Sequence, residues 1–171
     1  MRILGINTLS HDSAVSVIED GEIKFAAHSE RYSRKKNDPL LNDGIMNEAL
    51  SFGKPDKIVF FEKPYLKRDR QFKINQKPGQ FPKQYLENWI GGNTKRINFV
   101  QHHESHASAG YYTSPFDEAC IVVIDAIGEW ETTTIWYGKG NELYKRWNCK
   151  YPKSLGLFYS AMTQRLDLKP Q

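Results

Sequence analysis

Cysteine is scarce: the 171 residues hold two, Cys120 and Cys149. That excludes a disulfide framework and a cysteine-based zinc site. Cys120 opens the apolar run Cys120-Ile121-Val122-Val123-Ile124, where a thiol is expected to act as a small core residue. Long hydrophobic runs are also missing, and nothing approaches the roughly 20 residues of a membrane helix. The opening Met1-Arg2-Ile3-Leu4-Gly5-Ile6 has no apolar leader or cleavage signature, so the expected location is the cytoplasm, with no membrane partner. There is no strong excess of one charge either: 24 Lys and Arg stand against 20 Asp and Glu, a formal charge of +4. A Gly-x-Gly-x-x-Gly turn after the first strand is absent, which argues against a Rossmann dinucleotide site.

What is present suits one soluble domain with a real core and is too short for two full ones. Hydrophobic residues make up 39% and aromatics 13%. The positive charge is concentrated in Arg31, Arg34, Lys35 and Lys36, and again from Lys63 to Lys83. Such runs are solvated faces, or they mark a nearby nucleotide phosphate or nucleic acid.

Alternating apolar residues predict strands over 2–7, 14–18 and 22–28. Asp20-Gly21 is a hairpin signal between the last two, and Ser10, His11, Asp12 and Ser13 fall at the tip of the first hairpin. A helix is predicted over 42–52, stopped by Gly53, then a buried strand over 57–61. Residues 62–82 are polar, basic and broken by prolines, and predict a long loop. A short helix over 84–90 ends at Gly91-Gly92. A strand over 97–100, a helix over 104–112 and an apolar strand over 119–125 follow. Two hairpin strands over 132–137 and 143–149 come next, then a helix over 154–166 capped by Ser154. Strands first, then alternating strands and helices, predict an α/β domain with a mixed sheet. The opening three-stranded antiparallel meander favours the ribonuclease-H-like fold of the actin-like ATPases.

His102 and His106 lie four apart on a predicted helix, so they stack on one face. Asp125 ends the strand that follows, where α/β sheets tend to place ligand-binding residues. Two imidazoles and a carboxylate suit iron, zinc or another first-row divalent metal. The same pattern also fits surface histidines and a turn-forming acid. His103-Glu104 begins like the zinc-protease motif His-Glu-x-x-His, but residue 107 is Ala, which rules that motif out. Gly128-Glu129-Trp130-Glu131-Thr132-Thr133-Thr134 can offer backbone N–H groups and hydroxyls to phosphates, or can be an ordinary hairpin. His11 and Asp12 can face a cleft, or can simply form a turn.

Several blocks in order resemble the nodulation-protein and antibiotic O-carbamoyltransferases. They are Gly5-Ile6, His11-Asp12-Ser13-Ala14, Glu30-Arg31-Tyr32-Ser33-Arg34-Lys35-Lys36 and His102-His103-Glu104-Ser105-His106-Ala107. Ser114-Pro115-Phe116, Asp125, Gly128-Glu129-Trp130 and Ser154-Leu155-Gly156-Leu157-Phe158-Tyr159 continue the order. The resemblance implies transfer of a carbamoyl group from carbamoyl phosphate, through an ATP-derived carbamoyl-adenylate, to an acceptor hydroxyl. That acceptor would be a sugar, an antibiotic or a modified nucleic-acid base. It implies His102, His106 and Asp125 as ligands of a divalent metal, iron first, with a fourth Asp ligand beyond residue 171. It further implies His11 and Lys36 in catalysis, with Asp12, Gly128, Glu129 and Thr132 at the nucleotide, where Mg2+ is a further cation to expect. Asp125-Ala126 departs from the family's Asp-Gly. By this resemblance residues 1–171 are the first lobe, the second lobe and C-terminal domain belong to a longer or partner chain, and the fragment alone is inactive. A homodimer is a further arrangement to expect. Rival readings are a tRNA threonylcarbamoyl-transferase-like enzyme and a non-catalytic docking or regulatory lobe.

Overall fold

In the computed structural model, which describes residues 1–91 and 97–169, the chain opens with a meander of β1 (Arg2–Asn7), β2 (Ala14–Glu19) and β3 (Glu22–His28). The turn between β2 and β3 is two residues long, with Asp20 and Gly21 both at positive φ (51° and 88°). A two-residue loop of that kind matches the twist of the flanking strands. Two further strands, β4 (Lys57–Phe60) and β5 (Ile97–Phe99), run parallel to β1. The resulting order is β3-β2-β1-β4-β5. An antiparallel meander extended by parallel strands is the ribonuclease-H-like sheet of the actin-like ATPases.

Period-two patterning turns Leu4, Ile6, Val15, Val17, Ile58 and Phe60 into one buried face. Against it packs α2 (Asp43–Ser51) through Ile45, Met46 and Ala49, and α4 (Pro82–Ile90) through Leu86. The Asn42 side chain caps α2 by accepting from the Ile45 N–H at 3.1 Å, a contact worth about 1 kcal/mol. Pro82 opens α4, where its missing N–H costs nothing. Each fully buried aliphatic or aromatic side chain contributes about 1.5–3 kcal/mol. A short helix α1 (Glu30–Ser33) follows β3. The C-terminal stop of α4 is Gly91 at φ 57°; Gly92, expected to share that role, lies outside the described residues.

The contacts of the chain cluster into two compact units. The first comprises Met1–Pro64 and Lys77–Val100; the second comprises Tyr65–Gln76 and Gln101–Gln171. The second has its own antiparallel sheet of β6 (Glu118–Gly128), β7 (Glu131–Lys139) and β8 (Glu142–Lys150), in that order. α5 (His102–Tyr112) packs on one face through Ala107, with Val123 and Trp136 buried beneath it. Gly138 is needed there: a Cβ would sit 2.8 Å from the Tyr111 ring. α6 (Leu155–Arg165) closes the chain, with the Ser154 hydroxyl accepting from the Leu157 N–H as its cap.

Three expectations are corrected. Residues 62–82 are not all loop, because α3 (Pro64–Lys73) forms there; Leu, Lys, Arg and Gln are good helix formers, and a polar helix shows little hydrophobic period. The 119–125 strand runs on to Gly128, and its pairing with β7 loses register between Ile124 and Gly128. Nor is that strand buried throughout. It alternates, with Val123 inside and Cys120, Val122 and Ile124 exposed, so Cys120 is not a core residue. An unbroken apolar run reads as a two-sided buried strand, but here only one face is covered by α5.

Candidate metal centre

The centre grows from the first turn of α5. His102 and His106, one turn apart, point their Nε2 atoms at each other across 3.0 Å. Asp125 enters from the irregular stretch of β6, its Oδ2 lying 2.7 Å from His102 Nε2 and 3.9 Å from His106 Nε2. All three ligand atoms lie within 4.8 Å of one another. Atoms held about 2.0–2.2 Å from one ion must sit roughly 3.0–3.5 Å apart, a spacing these distances bracket. Two imidazole lone pairs converging on a carboxylate are the donor set of a first-row divalent metal, and the residues fit the ion that the sequence implies. The site is graded in exposure, His102 at 15% and His106 at 54%, so the ion would be reachable from the His106 side.

Protonation favours the ligand form of Asp125. A proton on His102 Nε2, which a bound metal ion would displace, is donated to Asp125 and with the Ala126 N–H at 2.6 Å holds its carboxyl down at about 2 despite partial burial. Asp125 is therefore ionised at any physiological pH.

Neighbouring residues hold this arrangement from several sides. The His102 backbone N–H donates to both Glu129 carboxylate oxygens, at 3.1 and 3.2 Å. Glu129 is itself buried, at 4% exposure. A helix N-terminus leaves its first N–H groups without intrahelical partners and carries partial positive charge, so a buried carboxylate is matched to that position. Gln101, the residue before the helix, has its Oε1 held by Lys145 Nζ at 2.8 Å. Lys145 also bonds both Glu131 oxygens and lies over the Trp136 ring. Gly128 is required by the His102 ring, since a Cβ would meet His102 Cδ2 at 2.5 Å. Gly156 is required by the Asp125 turn: its Cβ would fall 2.5–2.6 Å from the backbone of Asp125 and Ala126. Ser154 Oγ reaches the Ala126 carbonyl at 2.7 Å. The Ser-Leu-Gly segment of α6 thus fastens the loop that presents Asp125.

His103, between the two candidate ligands, belongs to the His-His-x-x-His-Ala block but carries no role of its own in the sequence. It is fully buried, with Nδ1 3.0 Å from Thr134 Oγ1, and that oxygen accepts from Trp136 Nε1 at 2.7 Å. Burial pushes its imidazole down to about 4, keeping it neutral. Its signal in the sequence was its place one residue after a ligand, which turns it toward the sheet.

The remaining expected residues are placed as follows. Glu129 serves the start of α5, as described. Thr132 is fully buried and its hydroxyl donates to the Lys153 carbonyl at 2.5 Å. His11, Asp12 and Lys36 belong to the first unit. His11 is exposed, with Nδ1 2.9 Å from Asp12 Oδ2, and Asp12 sits at positive φ, 52°. The hairpin tip is pinned by Leu9 N–H to the Pro39 carbonyl and Ser13 N–H to the Asp38 carbonyl. Lys36 stands exposed on the turn just before that segment.

With this geometry in place, the family model of the carbamoyltransferase N-terminus matches residues 2–97 and 83–171. The chain belongs to the carbamoyltransferase family. Among curated relatives it is 35% identical over 98% of its length to uncharacterized protein sll1178 of Synechocystis, covering 32% of that protein. It is 25% identical over 90% of its length to nodulation protein NolNO of Sinorhizobium fredii, covering 25% of it. The chain therefore spans about a third or less of the curated relatives it matches. A solved Ppx/GppA family structure from Aquifex aeolicus is 16% identical, with a TM-score of 0.44 over 95% of this chain and 54% of that one. Among the described residues, no helix is long and apolar enough to cross a membrane.

Proposed function

We propose that this carbamoyltransferase-family chain supplies the metal-binding part of an O-carbamoyl transfer site. The observation that carries the reading is the convergence of His102 Nε2, His106 Nε2 and an ionised Asp125 on one point, in a chain that the family model matches from end to end. Carbamate derived from carbamoyl phosphate would react with ATP to give carbamoyl-adenylate and pyrophosphate. The acceptor hydroxyl then loses its proton, its oxygen bonds to the carbamoyl carbon, and the bond to the AMP phosphate oxygen breaks. His102, His106 and Asp125 would hold a divalent ion, Fe2+ first, which would supply Lewis-acid stabilisation of nucleotide phosphate charge.

His11 is proposed as the base for the acceptor hydroxyl. Its Nδ1 faces Asp12 Oδ2, which fixes the Nδ1–H tautomer and leaves Nε2 to take the proton. A positioned base of this kind contributes about 10²–10⁴-fold. Lys36 is proposed to bind anionic substrate oxygens from its exposed turn, and the Gly128 turn of the second unit to lie beside nucleotide phosphate and Mg2+.

A partner polypeptide is favoured by a specific observation. One face of the second unit's sheet shows Val122 and Ile124 at 56% exposure and Trp147 at 51%, and α6 buries none of its residues. We propose that polypeptide equivalent to the remaining length of the family's proteins covers this face. Self-association of this chain, as a homodimer, is the competing outcome.

The test is carbamoyl transfer by the family-length protein, supplied with ATP, Mg2+, Fe2+ and carbamoyl phosphate, and scored by acceptor-dependent AMP release. His11→Ala is expected to lower the rate 10²-fold or more; unchanged turnover removes His11 from the mechanism. Acceptor binding that weakens steeply with salt would point to nucleic acid, and salt-insensitive binding to a neutral hydroxylated molecule.

A further inference from the structure

We infer that Glu129 is a positioning residue of the metal centre, acting on His102 through the backbone. This rests on the metal reading above and extends it to a residue that binds no metal. His102 must do two things at once: start α5 and aim its ring at Asp125. Its N–H is one of the orphan donors of the helix start, and a side-chain cap from Gln101 is not used. The Gln101 side chain is instead held by Lys145. The N–H is taken by both oxygens of Glu129, from 27 residues away in sequence.

That contact ties the first turn of α5 to the Gly128–Glu129 turn, the same turn whose missing Cβ leaves room for the His102 ring. Ring and backbone of one ligand are therefore set by two consecutive residues. If Glu129 is removed, the first turn of α5 is free to fray, and His102 swings away from a point that must be met to within about 0.5 Å. His106, a full turn deeper in α5, keeps its place. The loss would thus fall on one ligand and change the geometry of the site, where general destabilisation would lower all binding alike. Outer partners of metal ligands typically change affinity about 10–100-fold.

The experiment titrates cobalt(II) into the full chain, following its visible ligand-field spectrum, for wild type, Glu129→Ala and Glu129→Gln. Tyr111→Phe serves as a destabilised control, since the Tyr111 hydroxyl bonds the Asp117 and Gly140 carbonyls away from the ligands. The expected result is a 10–100-fold weaker site in Glu129→Ala with an altered spectrum. Glu129→Gln, whose amide oxygen still accepts the N–H, should bind within about threefold of wild type. Tyr111→Phe should match wild type in affinity and spectrum. Equal affinity and spectrum in Glu129→Ala and wild type overturn the proposal, as does an equal loss in Tyr111→Phe. If wild type itself binds no cobalt, it is the metal reading that fails. Should Glu129→Ala not fold, Glu129→Asp carries the test: its carboxylate stops one methylene short, and unchanged affinity overturns the proposal.

Discussion

The two units spend their buried positions differently. In the first, a large aliphatic and aromatic cluster including Leu4, Ile45, Phe60 and Leu86, each at most 1% exposed, outweighs a few buried hydroxyls such as Thr8 and Ser13. In the second, the deepest side chains include His103, Thr132 and Thr134, and its apolar cluster is small. The first unit is held mainly by its larger apolar cluster, whose burial is non-directional. The second is held by hydrogen bonds with fixed partners, and those partners surround His102, His106 and Asp125. A core of that kind gives up some hydrophobic stabilisation and gains defined side-chain geometry, which a metal centre needs.

The contrast can be broken most strongly from the apolar side. Phe60→Ala should cost about 3–5 kcal/mol, seen in denaturant unfolding through Trp89, the first unit's tryptophan, while cobalt affinity stays within experimental scatter. In the second unit, Thr134→Val would strip the hydrogen-bond partner from buried His103 Nδ1 and Trp136 Nε1. We expect a loss of about 1–3 kcal/mol, read by the Trp136 fluorescence transition, together with weaker metal binding.

Acid should sharpen the same comparison. His103 is held at about 4, below its ordinary 6.5, so between those values the unfolded chain binds the proton that the folded one refuses. Stability from this source is whole above pH 6.5, is lost as pH falls toward 4, and levels off below it. Asp125, at about 2 against an ordinary 3.8, adds a separate loss only below pH 3.8. Hydrogen exchange should show the second unit opening first between pH 6.5 and 4. His103→Gln should remove that window, and an unchanged acid profile would contradict the assignment. The smallest effect is expected at Trp130, whose Nε1 donates to Asp69 of α3 at 3.3 Å under Lys73. Trp130→Phe should shift cobalt affinity no more than about threefold.

Local chemistry made much of this legible in advance. The meander of β1 to β3 follows from alternation and Asp20-Gly21, α2 from Asn42 and its apolar spacing, and the meeting of His102 and His106 on one helix face from a separation of four. What stayed hidden depends on distant partners. Glu129 reads as a phosphate-loop residue until the start of α5 lands on it, and no period in the sequence connects residue 102 to 129. His103 looks like a third surface histidine until Thr134 and Trp136 close around it. α3 was obscured because a helix rich in Lys and Arg lacks an apolar stripe, and Cys120 because an apolar run does not tell which face is covered.

The central claim is that His102, His106 and Asp125 hold one metal ion. It is tested most directly by metal analysis and iron(II) affinity of the full chain beside His106→Ala, whose side chain is the most exposed of the three ligands and the least needed for folding. One equivalent of metal in wild type, lost in His106→Ala while the unfolding transition is retained, is the predicted result. Wild type that takes up no metal, or a variant that binds as tightly as wild type, would contradict it.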